Sequence, residues 1–488
     1  MSMAAVGVKD TRELIDKIDK IGELVRISKE VDWDLEAGAI TRRAAELRSE
    51  AVLVENIKDY PGWRYIGNHL SSFPRIACAL GLDPYTHRGE IGDIYLERTK
   101  RPIKPVLVDK APCQENVIMG DDVNLFDLPA PMVHDGDGGR YLATCALRVT
   151  KDPDSDWVNW GTYRNMVHDE RHLGGLILPS GDMGRIFYGK YVPKGENMPV
   201  AIVITPDPVS YMIAMTPVGV GVSEVDIAGG IIGEPVELVK CKTVDLEVPA
   251  TAELILEGEV LMPDFGVDEG PFGEFTGFRT SPRLSRSVFR INCVTYRNDP
   301  IVGISNMGMP VDDGDAVCSV TWSSQIKKNL MDNGVPVVEV NWPPETCSMM
   351  VIVSTKVPYF GIANRIGNIL FGAAPLGAYI NVLVVVDETV DVFDLGEVWH
   401  ALAGQCDPVR GINIRENDLT TPLNPYLKME DRKWMRGTKV VFDCTFPVEW
   451  HRQKEVPAKV NFRNKVMYPE KLQKRVIENW HDYGFKKG

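Results

Sequence analysis

The sequence lacks paired cysteines, long apolar runs and any secretory signal. Its nine cysteines are scattered and never form a C-x-x-C pair, which is typical of reduced core thiols and excludes a disulfide framework or a cysteine-based zinc site. The longest apolar run, around Val382 to Val386, is far shorter than the roughly 20 residues of a membrane helix. No basic stretch followed by an apolar one begins the chain. The sequence therefore predicts a cytoplasmic protein without a membrane partner.

Positive charge is also scarce. The 54 Lys and Arg residues against 68 Asp and Glu residues give a formal net charge of −14. A surface of this sign repels nucleic acids and anionic lipids, so neither is an expected partner. A small anionic substrate would therefore need a local positive site.

Several common motifs are missing or incomplete. The chain has no convincing nucleotide loop and no H-E-x-x-H or G-x-S-x-G motif. His168 and His172 could share a helix face, but without a third ligand nearby they are expected to be structural. The run Asp312-Asp313-Gly314-Asp315 resembles a cation loop that lacks its remaining ligands, which favours a capped turn before a helix at 316.

The 488 residues predict two or three domains with a mixed α/β (α+β) fold. Asp10 or Thr11 can cap the first helix. Short β-rich runs between glycines and prolines predict a barrel or closed sheet whose mouth could hold a cofactor. The terminal amphipathic helix packs either on its own domain or on a second subunit. The predicted parts are 1–105 (N-terminal α/β unit), 106–300 (barrel), 316–333 (linker helix), 334–468 (C-terminal α/β domain) and 469–488 (C-terminal helix).

Arg164 and Glu224 each stand in a segment where a charge is unusual. Arg164 could hold a carboxylate with its planar fork, and Asn159 joins it only if the segment turns near Gly161. The alternative is an edge strand whose arginine pairs with a surface acid. Glu224 follows a glycine-rich turn and suits a hard cation. Its alternative is a first-turn helix acid with Ser223 as the cap.

The segment from Glu269 to Phe278 carries two glutamates five positions apart. Its three glycines and one proline exclude a regular helix and let the backbone approach a flat ligand. Burial of one carboxylate and an arginine beside the other would divide acid and base roles between them. The alternative is a solvated loop, which the interleaved Phe272, Phe275 and Phe278 argue against.

Five segments together resemble the UbiD family of reversible decarboxylases, and the resemblance runs the length of the chain. The segments, in order, are 159–173 (NWGTYRNMVHDERHL), 222–224 (VSE), 235–240 (PVELVK), 248–257 (VPATAELILE) and 269–277 (EGPFGEFTG).

The resemblance implies a carboxy-lyase with a split β-barrel that binds prenylated FMN, and a C-terminal domain that forms a homodimer or higher homo-oligomer. It also implies Mn2+ or Mg2+ with K+ as a further ion, and a flavin prenyltransferase as the supplier of the cofactor. The substrate would be an aromatic, heteroaromatic or α,β-unsaturated acid that loses or gains CO2 through a covalent adduct with the flavin.

The resemblance also assigns residues. Arg164, Glu269 and Glu274 would be catalytic: Arg164 positions the substrate carboxylate and holds Glu269 ionised, and Glu274 donates the proton. Asn159 and Glu224 would be metal ligands. The implied flavin-binding set is Asn159, Thr162, Tyr163, Arg164, Pro217 and Glu224.

Two departures from the family pattern stand out. Asp182 occupies the place of the usual histidine ligand; an aspartate suits Mn2+ or Mg2+, unless the match is displaced by a residue or two. The stretch 372–375 (GAAP) lacks the lysine that some relatives have near the phosphate. Lys190 and Arg365 are the alternatives for that contact.

Three rival functions remain open at this stage. A metal-dependent hydrolase could use Asn159, Asp182 and Glu224 with bound water and no flavin. A non-catalytic assembly factor on the same fold would have no need to keep Arg164, Glu269 and Glu274 together. An oxidoreductase would use ordinary FMN.

Overall fold

The computed structural model describes residues 6–280, 282–373 and 375–486, and it has the mixed α/β fold that the sequence predicts. The chain begins with helices that alternate with short strands. The elements of this part are α1 (Thr11–Lys20), β1 (Leu24–Ile27), α2 (Glu36–Glu46), β2 (Ala51–Val54), β3 (Arg64–Gly67), α3 (Phe73–Ala79) and α4 (Arg88–Thr99).

Helix α1 shows how local sequence determines this part of the fold. Asp10 is its N-cap and accepts a hydrogen bond from the Arg12 backbone N–H at 2.7 Å. The Thr11 hydroxyl instead donates to the Pro206 carbonyl, so Asp10 is the capping residue of the two candidates. Leu14 and Ile18 are fully buried on the inner face of the helix.

The central part is rich in strands. Its elements are β4 (Val106–Leu107), β5 (Asn116–Met119), β6 (Ala146–Lys151), β7 (Val158–Gly161), β8 (Met166–Val167), β9 (His172–Gly175), α5 (Asp182–Ile186), β10 (Met198–Ile204), α6 (Pro208–Ala214), α7 (Glu224–Ile232), β11 (Glu237–Lys240), β12 (Glu247–Pro249), β13 (Leu254–Val260), β14 (Gly266–Glu269), β15 (Leu284–Tyr296) and β16 (Ile301–Ile304).

Nine of these strands form one antiparallel sheet, where the sequence predicts a barrel. The order is β7-β6-β10-β13-β15-β9-β8, and β5 and β14 also pair with β15. Strand β15 spans 13 residues and forms hydrogen bonds with four other strands, so it is the central strand of the sheet. A small sheet, β12-β11-β4, lies apart from it.

Strand β16 returns to the beginning of the chain and completes the first sheet. That sheet has the order β1-β2-β3-β16, and β16 runs parallel to β3. The N-terminal unit therefore contains a strand from beyond residue 300, which the predicted boundaries do not include.

A long helix leads to the last part of the chain. It begins at Asp313 rather than at 316 because Asp312 and Asp315 form a capping box at its first turn. The elements from here on are α8 (Asp313–Asp332), β17 (Val337–Asn341), β18 (Met350–Thr355), α9 (Ile362–Phe371), β19 (Val382–Asp387), α10 (Leu395–Gly404), β20 (Ile412–Leu419), α11 (Met429–Lys433), β21 (Arg436–Cys444), α12 (Val448–Gln453) and α13 (Glu470–Glu478).

The last sheet is mixed and has the order β17-β18-β19-β21-β20. Its central pairs are parallel, and each end strand pairs antiparallel to its neighbour. The terminal helix α13 is shorter than the predicted one and has no buried residue within this chain. Ile477, from its predicted apolar stripe, is 64% exposed.

Two predicted absences can be compared with the structure. All nine cysteines are free, and five of them are buried side chains of the cores. Within the described ranges, no helix combines the length and the apolar character needed to cross a membrane.

The cap of α1 leads to a stability prediction. We expect Asp10→Ala to lower the free energy of unfolding by about 1–2 kcal/mol, because the first turn loses its acceptor and Arg297 loses its ion pair. Asp10→Asn keeps the acceptor and should lose less. Urea denaturation measures both. Asp16→Ala, on the exposed face of the same helix, is the control and should stay within about 0.5 kcal/mol of the wild type. An equal loss at Asp10 and Asp16 would show that the cap is unimportant.

Candidate active site

Arg164 lies in the extended segment between β7 and β8. The segment leaves β7 at Gly161, where a Cβ atom would come within 2.7 Å of the Tyr163 ring, so a side chain at 161 would prevent this path. Next to Arg164, the buried Asn165 accepts a hydrogen bond from Nε of Arg148 at 3.0 Å. The convergence of Asn159 and Arg164 through a turn near Gly161 stays a prediction.

The structure brings Arg164, Glu269 and Glu274 together. Nε of Arg164 donates to Oε1 of Glu269 at 2.8 Å, and its Nη2 donates to Oε2 at 3.3 Å. Nη1 of Arg164 forms a hydrogen-bonded ion pair with Glu274. The alternative of an edge-strand arginine paired with a surface acid is wrong, because both carboxylates are buried, at 1% and 3% exposure.

The two glutamates have different surroundings. Glu269 also accepts a hydrogen bond from the Tyr141 hydroxyl at 2.7 Å, so it accepts three hydrogen bonds, as suits a carboxylate. Glu274 has Arg164 as its side-chain hydrogen-bond partner. Burial raises the pKa of Glu274, and the positive charge of Arg164 offsets only part of that rise. The two carboxyl groups therefore differ in their environment.

Residues 269–280, called here the glutamate loop, are anchored by an aromatic side chain. Phe272 is fully buried, with the Tyr141 ring centroid 4.3 Å away and Cζ of Arg164 5.0 Å from its own centroid. Phe278, in contrast, is 57% exposed, so only part of the predicted aromatic shielding exists. The solvated-loop alternative fails for the half of the loop that carries the glutamates.

Glu224 is the first residue of α7 and is buried at 3% exposure. Its carboxylate accepts a hydrogen bond from the Trp160 backbone N–H at 2.9 Å. Burial raises its pKa to about 8, and the charge of Asp182 adds to that rise. Ser223 occupies the N-cap position but makes no side-chain capping bond, so the expected serine cap is absent.

The other two predicted metal ligands lie on neighbouring elements. Asn159, on β7, is buried and donates to the Thr150 hydroxyl at 3.2 Å. Asp182 begins α5, and burial raises its pKa. Within the described residues, no group of three or more His, Cys, Asp or Glu side chains could hold a metal. The predicted metal-ligand set contains only two residues of these types, Asp182 and Glu224, and its third member, Asn159, offers an amide.

A cavity of about 740 Å³ borders this second group. Ser223 lines it from the start of α7, Trp157 from the turn before β7, and Arg185 from α5. Lys190 also lines the cavity, and its ammonium lies 2.6 Å from Asp152. Arg365 instead donates to Tyr359 and to the Asn333 carbonyl at the end of α8, so Lys190 is the better placed of the two predicted phosphate contacts.

The remaining predicted residues are also placed. Thr162 and Tyr163 are half-buried beside Arg164, and Pro217 is half-buried between α6 and α7. His168 and His172 lie in the β8–β9 hairpin, so the suggestion that they share a helix face is wrong. Of the stretch 372–375, Ala374 lies outside the described residues.

Sequence reasoning missed the partners that complete the buried group. Tyr141 bonds Glu269, and Nε of Arg286 lies 3.9 Å from the same carboxylate. Neither residue belongs to a motif. The available signal was weak: Arg286 lies two positions into β15, which the alternating pattern predicts only from residue 287 onward.

A buried arginine that pairs with two buried glutamates is suited to acid–base catalysis and identifies the class of protein as an enzyme. Models of 3-octaprenyl-4-hydroxybenzoate carboxy-lyase match three parts of the chain: its N-terminal domain at 15–95, its Rift-related domain at 104–310 and its C-terminal domain at 317–444. The chain therefore belongs to the UbiD family of carboxy-lyases.

Individual relatives agree with this assignment. The pyrrole-2-carboxylic acid decarboxylase of Pseudomonas aeruginosa is 31% identical, with 98% of each chain covered. The closed form of vanillic acid decarboxylase from Sedimentibacter hydroxybenzoicus is 32% identical, with a TM-score of 0.86 over 97% of this chain and 99% of that one. A dimeric form of the UbiD-class enzyme HmfF from Pelotomaculum thermopropionicum, in complex with prFMN, is 28% identical, with a TM-score of 0.77 over 91% and 96%.

The buried ion group leads to a second prediction. We expect Arg164→Ala to lower the free energy of unfolding by about 3–5 kcal/mol at pH 8, because two buried carboxylates lose their cation. The loss should be smaller at pH 5. Without Arg164 the folded-state pKa of Glu274 rises further above its unfolded value. The ionised Glu274 then destabilises the fold, and this effect is absent at low pH and grows as pH rises through the folded pKa.

Urea denaturation at both pH values measures this effect. Arg26→Ala is the matched control, since Arg26 also pairs with two carboxylates, Asp19 and Glu55, but on the surface. Its loss should stay at or below about 1 kcal/mol at either pH. Equal losses in the two variants, or a loss at Arg164 that is independent of pH, would contradict the buried-charge interpretation.

Proposed function

We propose that this enzyme carries out the non-oxidative, reversible decarboxylation of an aromatic or other unsaturated carboxylic acid with prenylated FMN. The observation that carries the proposal is the buried group of Arg164 between Glu269 and Glu274. The HmfF relative in complex with prFMN supports the cofactor, and the relatives that act on pyrrole-2-carboxylic and vanillic acids support the substrate class.

Arg164 suits the binding of a substrate carboxylate. A guanidinium has five N–H donors, and three of them are used by the two glutamates. The remaining two lie on Nη1 and Nη2, and the side chain is 14% exposed. Arg164 can therefore hold the glutamates and an incoming carboxylate together, which supplies the local positive site that the acidic chain needs.

Glu274 suits the proton transfer. Burial raises its pKa, and Arg164 holds the carboxyl group in place while offsetting only part of that rise. After CO2 leaves, the substrate carbon needs a proton, which Glu274 gives; in carboxylation Glu274 removes it. A bound prenylated flavin supplies the electron sink for the bond cleavage.

An aromatic wall beside the glutamate loop favours a flat substrate. The Phe275 ring lies 6.2 Å from the ring of Tyr379, whose own centroid is 5.0 Å from that of Trp322. Tyr379 comes from the C-terminal part of the chain and Trp322 from α8, so the wall joins two parts of the molecule. Flat rings stack favourably on such surfaces.

The second group fits a cation and the phosphate end of a flavin. Asn159, Asp182 and Glu224 offer hard oxygen donors, which suit Mn2+ or Mg2+, with K+ as a further ion. The cavity beside them has Lys190 and the N-terminus of α7, both of which favour a phosphate. Because Lys190 already pairs with Asp152, the helix terminus and the metal supply most of the attraction.

The exposed terminal helix supports a homo-oligomer. No residue of helix α13 is fully buried within its own chain, and the related HmfF structure is an evolved dimeric form. We place the subunit contact on residues 334–468 and this helix. We also place the enzyme in the cytoplasm, where a flavin prenyltransferase supplies the cofactor.

The proposal predicts both a cofactor and a specific loss of activity. Protein purified anaerobically from a host that expresses a flavin prenyltransferase should release a flavin heavier than FMN by one prenyl unit, seen by absorption and mass spectrometry. Glu274→Gln should retain this flavin but lower turnover and solvent deuterium incorporation by about 10²–10⁴-fold, because it cannot transfer the proton.

Asp268→Asn is the control, since it changes an exposed acid one position before Glu269 and should leave turnover unchanged. Wild-type turnover in Glu274→Gln would refute its role. A colourless protein that hydrolyses esters or amides after metal loading alone would favour the hydrolase. Consumption of NAD(P)H with ordinary FMN would favour an oxidoreductase. Absence of activity on every acid tested would favour an assembly factor.

The aspartate in place of histidine predicts a shift in metal preference. We expect Asp182→His to weaken Mg2+ binding relative to Mn2+ by about tenfold, because an imidazole suits Mn2+ better than Mg2+. Calorimetric titration of both ions into protein with FMN measures the ratio. Glu224→Gln should weaken both ions together. An unchanged ratio in Asp182→His would mean that Asp182 is not a ligand.

A further inference from the structure

The glutamate loop is held from outside by residues 134–139, called here the bracing segment. The Gly138 N–H donates to the Pro271 carbonyl at 2.7 Å. The Gly273 N–H donates to Oδ1 of Asp137 at 3.1 Å. The loop backbone is thus bonded on both sides of Phe272, and the second bond lies directly before Glu274.

Asp137 is fixed in place by charged partners. Its side chain is fully buried, and Oδ2 lies 2.9 Å from Nδ1 of His134. Oδ1 also accepts from Nη2 of Arg279 at 3.3 Å. The carboxylate that holds the Gly273 N–H therefore has little freedom to turn away.

His134 in turn is bonded to a residue that is anchored on α2. Its Nε2 lies 2.9 Å from Oδ1 of Asn306. The Asn306 amide nitrogen donates to the Gly38 carbonyl at 2.5 Å and to the Thr41 hydroxyl at 3.0 Å, which directs Oδ1 toward the ring. Asp137 and Asn306 therefore hold the His134 ring from both of its nitrogens.

The packing is so close that it requires glycine. A Cβ atom on Gly273 would lie 2.6 Å from Nδ1 and Cε1 of His134, and one on Gly138 would lie 2.1 Å from the Gly270 carbonyl oxygen. The glycines of the loop therefore serve contact with the bracing segment as well as approach to a ligand.

We propose that His134 and Asp137 are positioning residues, which transmit the fixed position of α2 and Asn306 through the Gly273 N–H to the proton donor Glu274. The proposal rests on the proposed function only in the role of Glu274. The bracing itself is a property of the chain without any cofactor. A displacement of the loop by about 1 Å would misplace the donor and lower turnover by up to about 100-fold.

The protein contains a matched pair that lacks these connections. His172 and Asp169 are also three positions apart, with Nδ1 and Oδ1 2.9 Å from each other. Their side chains are 31% and 41% exposed. Asp169 bonds Arg171 and His172 within the same hairpin, so a merely structural His–Asp pair should behave like this one.

The test uses four variants of the full-length protein with two readouts. Hydrogen–deuterium exchange of peptides from the glutamate loop reports bracing in the protein as purified, and kcat and KM report positioning in the flavin-loaded enzyme. Asp137→Ala and His134→Ala should speed exchange of the loop about tenfold and lower kcat about 10- to 100-fold. KM should change little, because Arg164 stays in place.

Asp137→Asn should restore most of both properties. Its amide oxygen still accepts from Gly273, and its amide nitrogen can still hydrogen-bond the His134 ring. His172→Ala should match the wild type in both. If Asp137→Ala does not fold, His134→Ala decides, because that side chain is 22% exposed and leaves the smaller defect.

Each result decides between the possibilities. Faster exchange with lower kcat and rescue by Asp137→Asn supports the proposal. Unchanged loop exchange overturns it, whatever happens to kcat, and so does wild-type kcat despite faster exchange. If the wild-type enzyme decarboxylates no acid, the proposed function fails, and loop exchange still decides whether His134 and Asp137 brace the loop.

Discussion

The structure depends on burying one arginine with two carboxylates. The positive charge of Arg164 compensates the negative charges of Glu269 and Glu274. Burial alone would lower the pKa of Arg164, but the two carboxylates outweigh burial and raise it. Removing such charges from water is costly, so the surrounding chain must supply hydrogen bonds. Tyr141 supplies one to Glu269, and Phe272 closes the space beneath the guanidinium. The group is stable only as a set, which is why three separate segments converge on it.

The fold meets this demand by placing each segment on a different rigid element. Arg164 follows β7, Glu269 ends β14, and the bracing segment precedes β6 in the same sheet. Strand β15 pairs with both β14 and β9, so the glutamate loop and the hairpin after Arg164 share one frame. The pairing of the strands thus fixes the positions of the site residues, and the loops carry the side chains themselves.

The sequence predicts what is local, and it misses what joins distant positions. The cap of α1 and the glutamates of the glycine-rich loop are visible because neighbouring residues decide them. Tyr141 and Glu269 are 128 positions apart, and His134 and Asn306 are 172 apart, so no window of sequence contains both partners. For the same reason the sequence does not assign β16 to the first sheet. It also does not show that Phe272 is buried while Phe278 is exposed.

The chain compensates the charge of its two buried acidic groups to different degrees. Glu269 and Glu274 have Arg164 between them. Glu224 has a backbone N–H, and Asp182 beside it adds negative charge, so burial leaves the pKa of Glu224 near 8. A divalent cation would make both carboxylates favourable as anions and would also attract a phosphate. The cavity that borders them would therefore suit a cation together with an anionic ligand, whereas Arg164 supplies positive charge to its two glutamates from within the chain.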